Sequence, residues 1–322
     1  MGNVRDARFD TLKGVLILTV VFGHFFTHDA SHGVVSESLA NLIYSFHMPL
    51  FVFVSGYFTN NMRVIHGGVR LLETYIIFQL IKGIVYHYSP LWLLIMPAPM
   101  LWYLVALIFW RLLYARLEKI GVNITWHLVL IFVLTSVAVG FLPWIGREYA
   151  LSRFIVFAPY FFLGVLVQKK QIVDVILKKV NFKLAVVVLV LTLMISKFFA
   201  VNSINVKDTF SGTLPYPLDN RWIYAGARLL TYVTSTVISI AFIRLFSFNN
   251  KTLGIIGKDS LKYYMFHGIC LMGVEFLGFP WSTPCAVLYA TTVSSAIFFF
   301  NKTRLSDFAI APVSFFINRK KK

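Results

Sequence analysis

Lys13-Gly-Val-Leu-Ile-Leu-Thr-Val-Val-Phe-Gly-His24 decides the fold. A cation opens the run, a histidine closes it, and everything between them is apolar or small. Ionisable groups in hydrocarbon are expensive, so one held in such a run is a functional candidate by default. Read as a helix, the spacing from Lys13 to His24 is about three turns and roughly 16 Å of rise, which puts both side chains on one face.

The rest of the chain repeats the same composition. It has 322 residues, 58% of them hydrophobic and 13% charged. Soluble domains carry about 25% charged residues. The mean hydropathy of +0.75 agrees. The apolar runs are continuous rather than alternating, which argues for helices and against a barrel. Ten runs are long enough to read as spans, at about 13–29, 39–59, 69–88, 100–116, 126–143, 153–168, 183–200, 222–246, 259–278 and 284–301. The expected fold is therefore all-α, a polytopic membrane bundle of about ten transmembrane helices. Residues 1–322 read as a single domain, with no internal repeat and no linker.

The net charge of +17 falls between the apolar runs, so it is no nucleic-acid signal. With ten spans, Arg5, Arg8, Arg63, Arg70, Arg116, Lys119, Lys169, Lys170, Lys178, Lys179, Lys251, Lys258, Lys302 and the tail from Arg319 to Lys322 share one side. Arg147, Arg153, Lys207 and Arg221 fall on the other. The positive-inside rule makes the basic side cytoplasmic, with both termini on it. The terminal lysines read as a lipid-headgroup anchor. Residues 172–177, set between lysines, read as a short helix on the inner leaflet. Gly23-His24-Phe25-Phe26 is no signal-peptide cleavage site, so the first run is kept as a helix. Cys270 and Cys285 lack metal-type spacing and read as small core residues.

Depth narrows the candidate chemistry. His24 lies roughly 16 Å above the inner edge and His47 about 14 Å below the outer one, so both fall near the midplane. His267 is about 12 Å up from Lys258. Two readings stand for each: a hydrogen bond to a neighbouring helix, or a neutral imidazole kept unprotonated by burial and fit to act as a general base. His24, His28 and His32 are spaced by four, but 28–32 reads as an outer loop and no Glu or Cys completes a set, so no metal site is expected. Lys13 reads either as a snorkelling edge charge or, with Arg8 and Arg70, as part of a basic rim suited to phosphates. Asp10 and Glu73 lie on the same edge, to steer those cations or to balance them. Trp102 and Tyr103 suit an aromatic belt or a sugar face. The outer loop 201–221 mixes aromatics, amides and turn residues, which suits a sugar or an ordinary loop.

Several segments together resemble the acyltransferase-3 family of integral membrane acyltransferases, nearest to its sugar O-acetylase branch, such as fucose 4-O-acetylase. Lys13 and His24 match its Arg/Lys-x10-His pattern. Phe46-His47-Met48-Pro49-Leu50-Phe51-Val52-Phe53-Val54-Ser55-Gly56-Tyr57 resembles its second-helix signature. Leu101-Trp102-Tyr103-Leu104, Arg153-Phe154 with Pro159-Tyr160-Phe161-Phe162-Leu163-Gly164, and Ser260-Leu261 with Tyr264-Met265-Phe266-His267 resemble later ones. The order and spacing of these segments hold from about residue 5 to about residue 270. Relatives often carry a basic residue three positions before that of Arg70 and a Pro before the following Tyr; here Gly67 and Thr74 stand there.

The resemblance implies an enzyme, an O-acetyltransferase moving acetyl from cytoplasmic acetyl-CoA to a hydroxyl of an envelope glycan or lipid-linked sugar. Acetyl-CoA is then a co-substrate, and no bound cofactor is expected. His24 becomes the general base, and His47 is the second catalytic residue. Lys13 and Arg70 hold the CoA phosphates. His47, Ser55 or Tyr103 faces the oxyanion, Ser55 is also a possible acyl relay, and Tyr103, Arg153 and His267 are acceptor-binding or structural polar residues. The expected location is a bacterial plasma membrane. The competing readings are a polysaccharide exporter of the same family, which transfers nothing, and a membrane scaffold or sensor without catalysis.

Overall fold

The computed structural model describes residues 6–29, 33–204 and 206–319, without the side chains of 61–66, 318 and 319. Arg5, His32 and the lysines 320–322 lie outside the described residues, as do the side chains of Arg63 and Arg319. The helices in chain order are α1 (Ala7–Asp29), α2 (Val34–Tyr44), α3 (His47–Tyr57), α4 (Asn61–Val85), α5 (Pro90–Ile95), α6 (Trp102–Lys119), α7 (Trp126–Val139) and α8 (Leu151–Lys170). They continue with α9 (Val173–Lys179), α10 (Phe182–Val201), α11 (Lys207–Ser211), α12 (Arg221–Phe246), α13 (Lys251–Lys258), α14 (Ser260–Phe276), α15 (Thr283–Phe300), α16 (Arg304–Ile310) and α17 (Pro312–Arg319). No strand occurs among the described residues.

Every apolar run read from the sequence is helical. Six helical stretches among the described residues are long and apolar enough to cross a membrane: Ala7–Asp29, Val34–Tyr57, Glu148–Lys170, Phe182–Val201, Leu218–Phe246 and Thr283–Phe300. The chain is a multi-pass helical membrane protein. The helix starts carry ordinary caps. Thr125, Asn181, Asn250 and Ser282 each accept a hydrogen bond from a backbone N–H of the first turn, which satisfies a donor that has no partner inside the helix.

Two compact units divide the chain. The first comprises 1–51, 174–207 and 234–307. Its centre is α1, packed against α13, α15, α2 and α14. Leu12, Leu16, Ile17, Val21 and Phe25 of α1 are fully buried, so the first run is surrounded by protein rather than lipid. By contrast α10 keeps Met194 and Phe198 about 60% exposed, as suits a helix whose solvent is hydrocarbon. The contact of α1 with α13 is made backbone to backbone. A Cβ on Gly257 would stand 1.9 Å from the Asp10 carbonyl oxygen, and one on Gly14 would stand 2.0 Å from that of Leu253.

The second expected span is not one straight helix. It breaks at Ser45-Phe46 into α2 and α3. Pro49 supplies the cause: it has no N–H to give the carbonyl four residues back, which is that of Ser45. That buried carbonyl instead accepts from the Ser235 hydroxyl of α12 at 2.5 Å. The break places His47 at the first turn of a new helix. The first helix ends where its expected span does, at Asp29, and starts earlier, at Ala7; His28 and Asp29 are helical rather than part of a loop.

The second unit comprises 52–173, 208–233 and 308–322. Here α7 packs on α8, and α6 on both α4 and α8. α8 and α3 meet at two glycines: a Cβ on Gly56 would stand 1.9 Å from the Phe161 carbonyl oxygen, and one on Gly164 would stand 2.1 Å from that of Phe53. Buried cations are satisfied inside each unit. In the second, Lys82 donates to the Pro99 carbonyl at 2.9 Å, and Arg228 donates to that of Ser136 at 3.0 Å while lying over the Tyr216 ring. In the first, Lys262 meets Asp307 at 2.9 Å and Ser306 at 3.0 Å.

Candidate active site

His24, His47 and His267, the three histidines selected from the sequence, all lie in the first unit and share one file of rings. The ring of His24, on α1, stacks on that of His267, on α14, with centroids 5.2 Å apart and planes 28° from parallel. Tyr44, the last residue of α2, stands edge-on to His24 at 6.3 Å and to His47 at 4.9 Å. Tyr264 lies 6.0 Å from His267. The result is a continuous file of rings from His267 through His24 and Tyr44 to His47.

The three imidazoles are not equivalent. His47 is 4% exposed and His267 fully buried. His47 Nδ1 donates to the Ile43 carbonyl at 2.8 Å, and His267 Nδ1 donates to that of Tyr263 at 2.8 Å. A carbonyl can only accept, so each of these rings carries a proton on Nδ1. His24 is half-buried, the open member of the set. A half-exposed imidazole backed by two rings of fixed tautomer can accept a proton from a bound hydroxyl and return it.

Around this file the structure adds residues that spacing did not single out. Tyr44 is one. Asn41, one turn earlier on α2, is 1% exposed, and neither its side-chain oxygen nor its nitrogen has a partner among the described residues. Native interiors seldom leave such groups unpaired without a role for them. A polar residue in an apolar run was the available signal, the same one that picked out the histidines.

At the other end of α1, Lys13 forms an ion pair with Asp10 at 2.7 Å. Asp10 is buried, 4% exposed. Nearby Arg8 grips Asp6 at 2.8 Å and Asp174 at 3.0 Å. Its hydrogen bonds hold the Asp6 carboxyl below the usual carboxylate range. Cys270 and Cys285 are free, half-buried thiols.

The remaining selected residues lie in the second unit. The Ser55 and Tyr103 hydroxyls are 2.6 Å apart. Arg153 lies over the Trp102 ring at 4.7 Å and donates to the Ser211 carbonyl at 3.2 Å, which ties it to the loop at 201–221. Arg70 is half-buried on α4. Glu73 turns away from any cation-steering task. It accepts from the backbone N–H groups of Val313 and Ser314 and from the Ser314 hydroxyl, and so caps α17.

A multi-pass helical protein with a half-buried histidine eleven residues after a lysine on the same helix is the class defined here. A family model described as an acyltransferase domain, that of acyltransferase family 3, matches residues 6–301. The chain belongs to this family. It is also similar to nodulation protein NolL of Mesorhizobium japonicum, 41% identical over 61 residues, a stretch covering 18% of this chain and 16% of that protein. No solved structure matches the chain.

Proposed function

We propose that the protein is a membrane O-acetyltransferase, one domain over 1–322, that moves acetyl from cytoplasmic acetyl-CoA to a hydroxyl of an envelope sugar or lipid-linked glycan. The observation that carries this reading is the stacking of an open His24 on His267, whose own tautomer is held by the Tyr263 carbonyl. His24 takes the acceptor proton as the hydroxyl oxygen attacks the thioester carbonyl. The C–S bond breaks, the CoA thiolate leaves, and the imidazolium returns the proton to it. His47, through Tyr44, backs the same file of rings. Lys13, held by Asp10, is assigned to the CoA phosphates, roughly 16 Å from His24 along α1. Arg70 is assigned to the donor on the family resemblance alone. Tyr103 and Arg153 remain the acceptor-side residues of the second unit. The topology that fits this chemistry has ten crossings, both termini cytoplasmic, in a bacterial plasma membrane.

The test is mass spectrometry of the host's surface glycans and glycolipids with and without the gene. The expected result is loss of one acetyl ester per modified unit in the deletion strain. Glycan of unchanged mass retained inside the cell would replace acyl transfer with export.

Lys13→Ala is expected to raise the KM for acetyl-CoA by about tenfold, the worth of one charge-assisted phosphate contact, with little change in kcat at saturating donor. Initial rates over a donor series read it. An unchanged donor KM would remove Lys13 from the donor site.

A further inference from the structure

The C-terminal end of α1 and the adjoining ends of α2, α14 and α15 gather a second polar group, which the acyl-transfer steps leave unused. Asp29 is 1% exposed. Its Oδ2 accepts from the Ser36 hydroxyl at 2.5 Å and from that of Thr283 at 3.1 Å, and those two hydroxyls are 2.8 Å apart. Its Oδ1 has no partner among the described residues. A buried carboxylate oxygen without a donor is costly, and native sites that keep one hold it for something. A Cβ on Gly33 would come within 3.3 Å of the Thr283 hydroxyl and 3.8 Å of Asp29 Oδ2. A side chain at Gly33 would crowd this polar group.

Aromatic surface adjoins the recess. The His28 ring stacks on Trp281 at 5.3 Å with planes 26° apart, and His28 Nε2 lies 3.0 Å from Glu275. Trp281 is half-buried, and His28 is exposed. The His28 ring takes one face of the indole and Tyr289 stands edge-on to it at 5.7 Å; an indole beside carboxylates and paired hydroxyls is the chemistry that holds a pyranose, whose C–H face lies on the aromatic while adjacent hydroxyls donate to the acids. A purely structural tie between helix ends needs the Asp29, Ser36 and Thr283 contacts, but it does not need the buried, unpartnered Oδ1. His28 and Asp29 are about one turn beyond His24 on α1, roughly 6 to 8 Å along the axis, at the end away from Lys13.

We infer that this group is a sugar subsite for the acyl acceptor, with Trp281 as its stacking face and Asp29 Oδ1 as acceptor for a sugar hydroxyl. The assignment rests on the acyltransferase reading above. It puts the sugar on the far side of His24 from the donor phosphates.

The experiment uses the full chain in nanodiscs. The probe is envelope oligosaccharide taken from the deletion strain and stripped of esters by alkali. Saturation-transfer NMR reads sugar binding, and a parallel assay with acetyl-CoA reads transfer. Wild type and His24→Gln are expected to bind alike. Trp281→Ala and Asp29→Asn are expected to weaken binding and raise the acceptor KM by about tenfold each, with the donor KM unchanged. Trp281→Phe, which keeps a ring, should recover part of the loss. Wild-type binding by both Trp281→Ala and Asp29→Asn would overturn the subsite, and so would failure of the wild type to bind the probe. Binding that depends on Trp281 in a protein that transfers no acetyl would leave the subsite standing and remove only the enzyme reading.

Discussion

His24→Gln is expected to leave the protein inserted and folded and to lower kcat for acyl transfer by about 10²- to 10⁴-fold, the usual worth of a positioned general base. Glutamine keeps a comparable length and can hydrogen-bond, but it cannot take a proton at neutral pH. The loss therefore isolates proton transfer from packing. His24 is half-buried rather than central to the core, so the substitution opens no large cavity. His267→Gln should fall less steeply. Its ring is fully buried, donates to the Tyr263 carbonyl and touches His24 face to face, so it positions the base rather than meeting the acceptor. The measurement is the single-turnover rate at saturating acetyl-CoA, with the amount of folded protein matched by size-exclusion chromatography. A His24→Gln enzyme that runs at the wild-type rate would dismiss His24 as the base.

The long helices were legible because each of the ten runs is apolar for long enough to be read without packing information, whereas short helices such as α13, α16 and α17 were not. The three histidines were legible because ionisable groups stand out against such runs. Their meeting was not, since it depends on how α1 and α14 are set against each other, which no spacing within one helix encodes. The break after Tyr44 had a local cue in Pro49. Its partner did not, because the Ser235 hydroxyl that takes the Ser45 carbonyl lies 190 positions away. Lys82, Arg228 and Lys262 are buried in or beside helices, and what satisfies them (the Pro99 and Ser136 carbonyls, Asp307) comes from other elements. The polar stretch His28-Asp29-Ala30-Ser31-His32 by itself reads as loop. The hydroxyls that hold Asp29 in a helix end come from α2 and α15.

Gly257→Ala is expected to remove most of the folded protein, although it adds a single methyl. The new Cβ would stand 1.9 Å from the Asp10 carbonyl oxygen and 2.7 Å from the Gly14 nitrogen, both backbone atoms that no rotamer change can withdraw. Relief requires α13 to move off α1. Overpacking of a tight core costs about 1–3 kcal/mol and occasionally more, and here the strain falls on the helix around which the first unit is built. Gly14→Ala should behave alike, for the mirror-image reason at the Leu253 carbonyl. Gly273→Ala is the control: nothing lies within 4 Å of its Cβ position, and replacing a helical glycine there should be neutral or stabilising by up to about 1 kcal/mol. Thermal midpoints by size-exclusion fluorescence in detergent would separate the three, with a drop for Gly257→Ala and Gly14→Ala only. Equal midpoints would mean that the helices part without strain. The surviving Gly257→Ala protein should also be impaired in donor use, because the carbonyl that is pushed belongs to Asp10, whose carboxylate holds Lys13 in place.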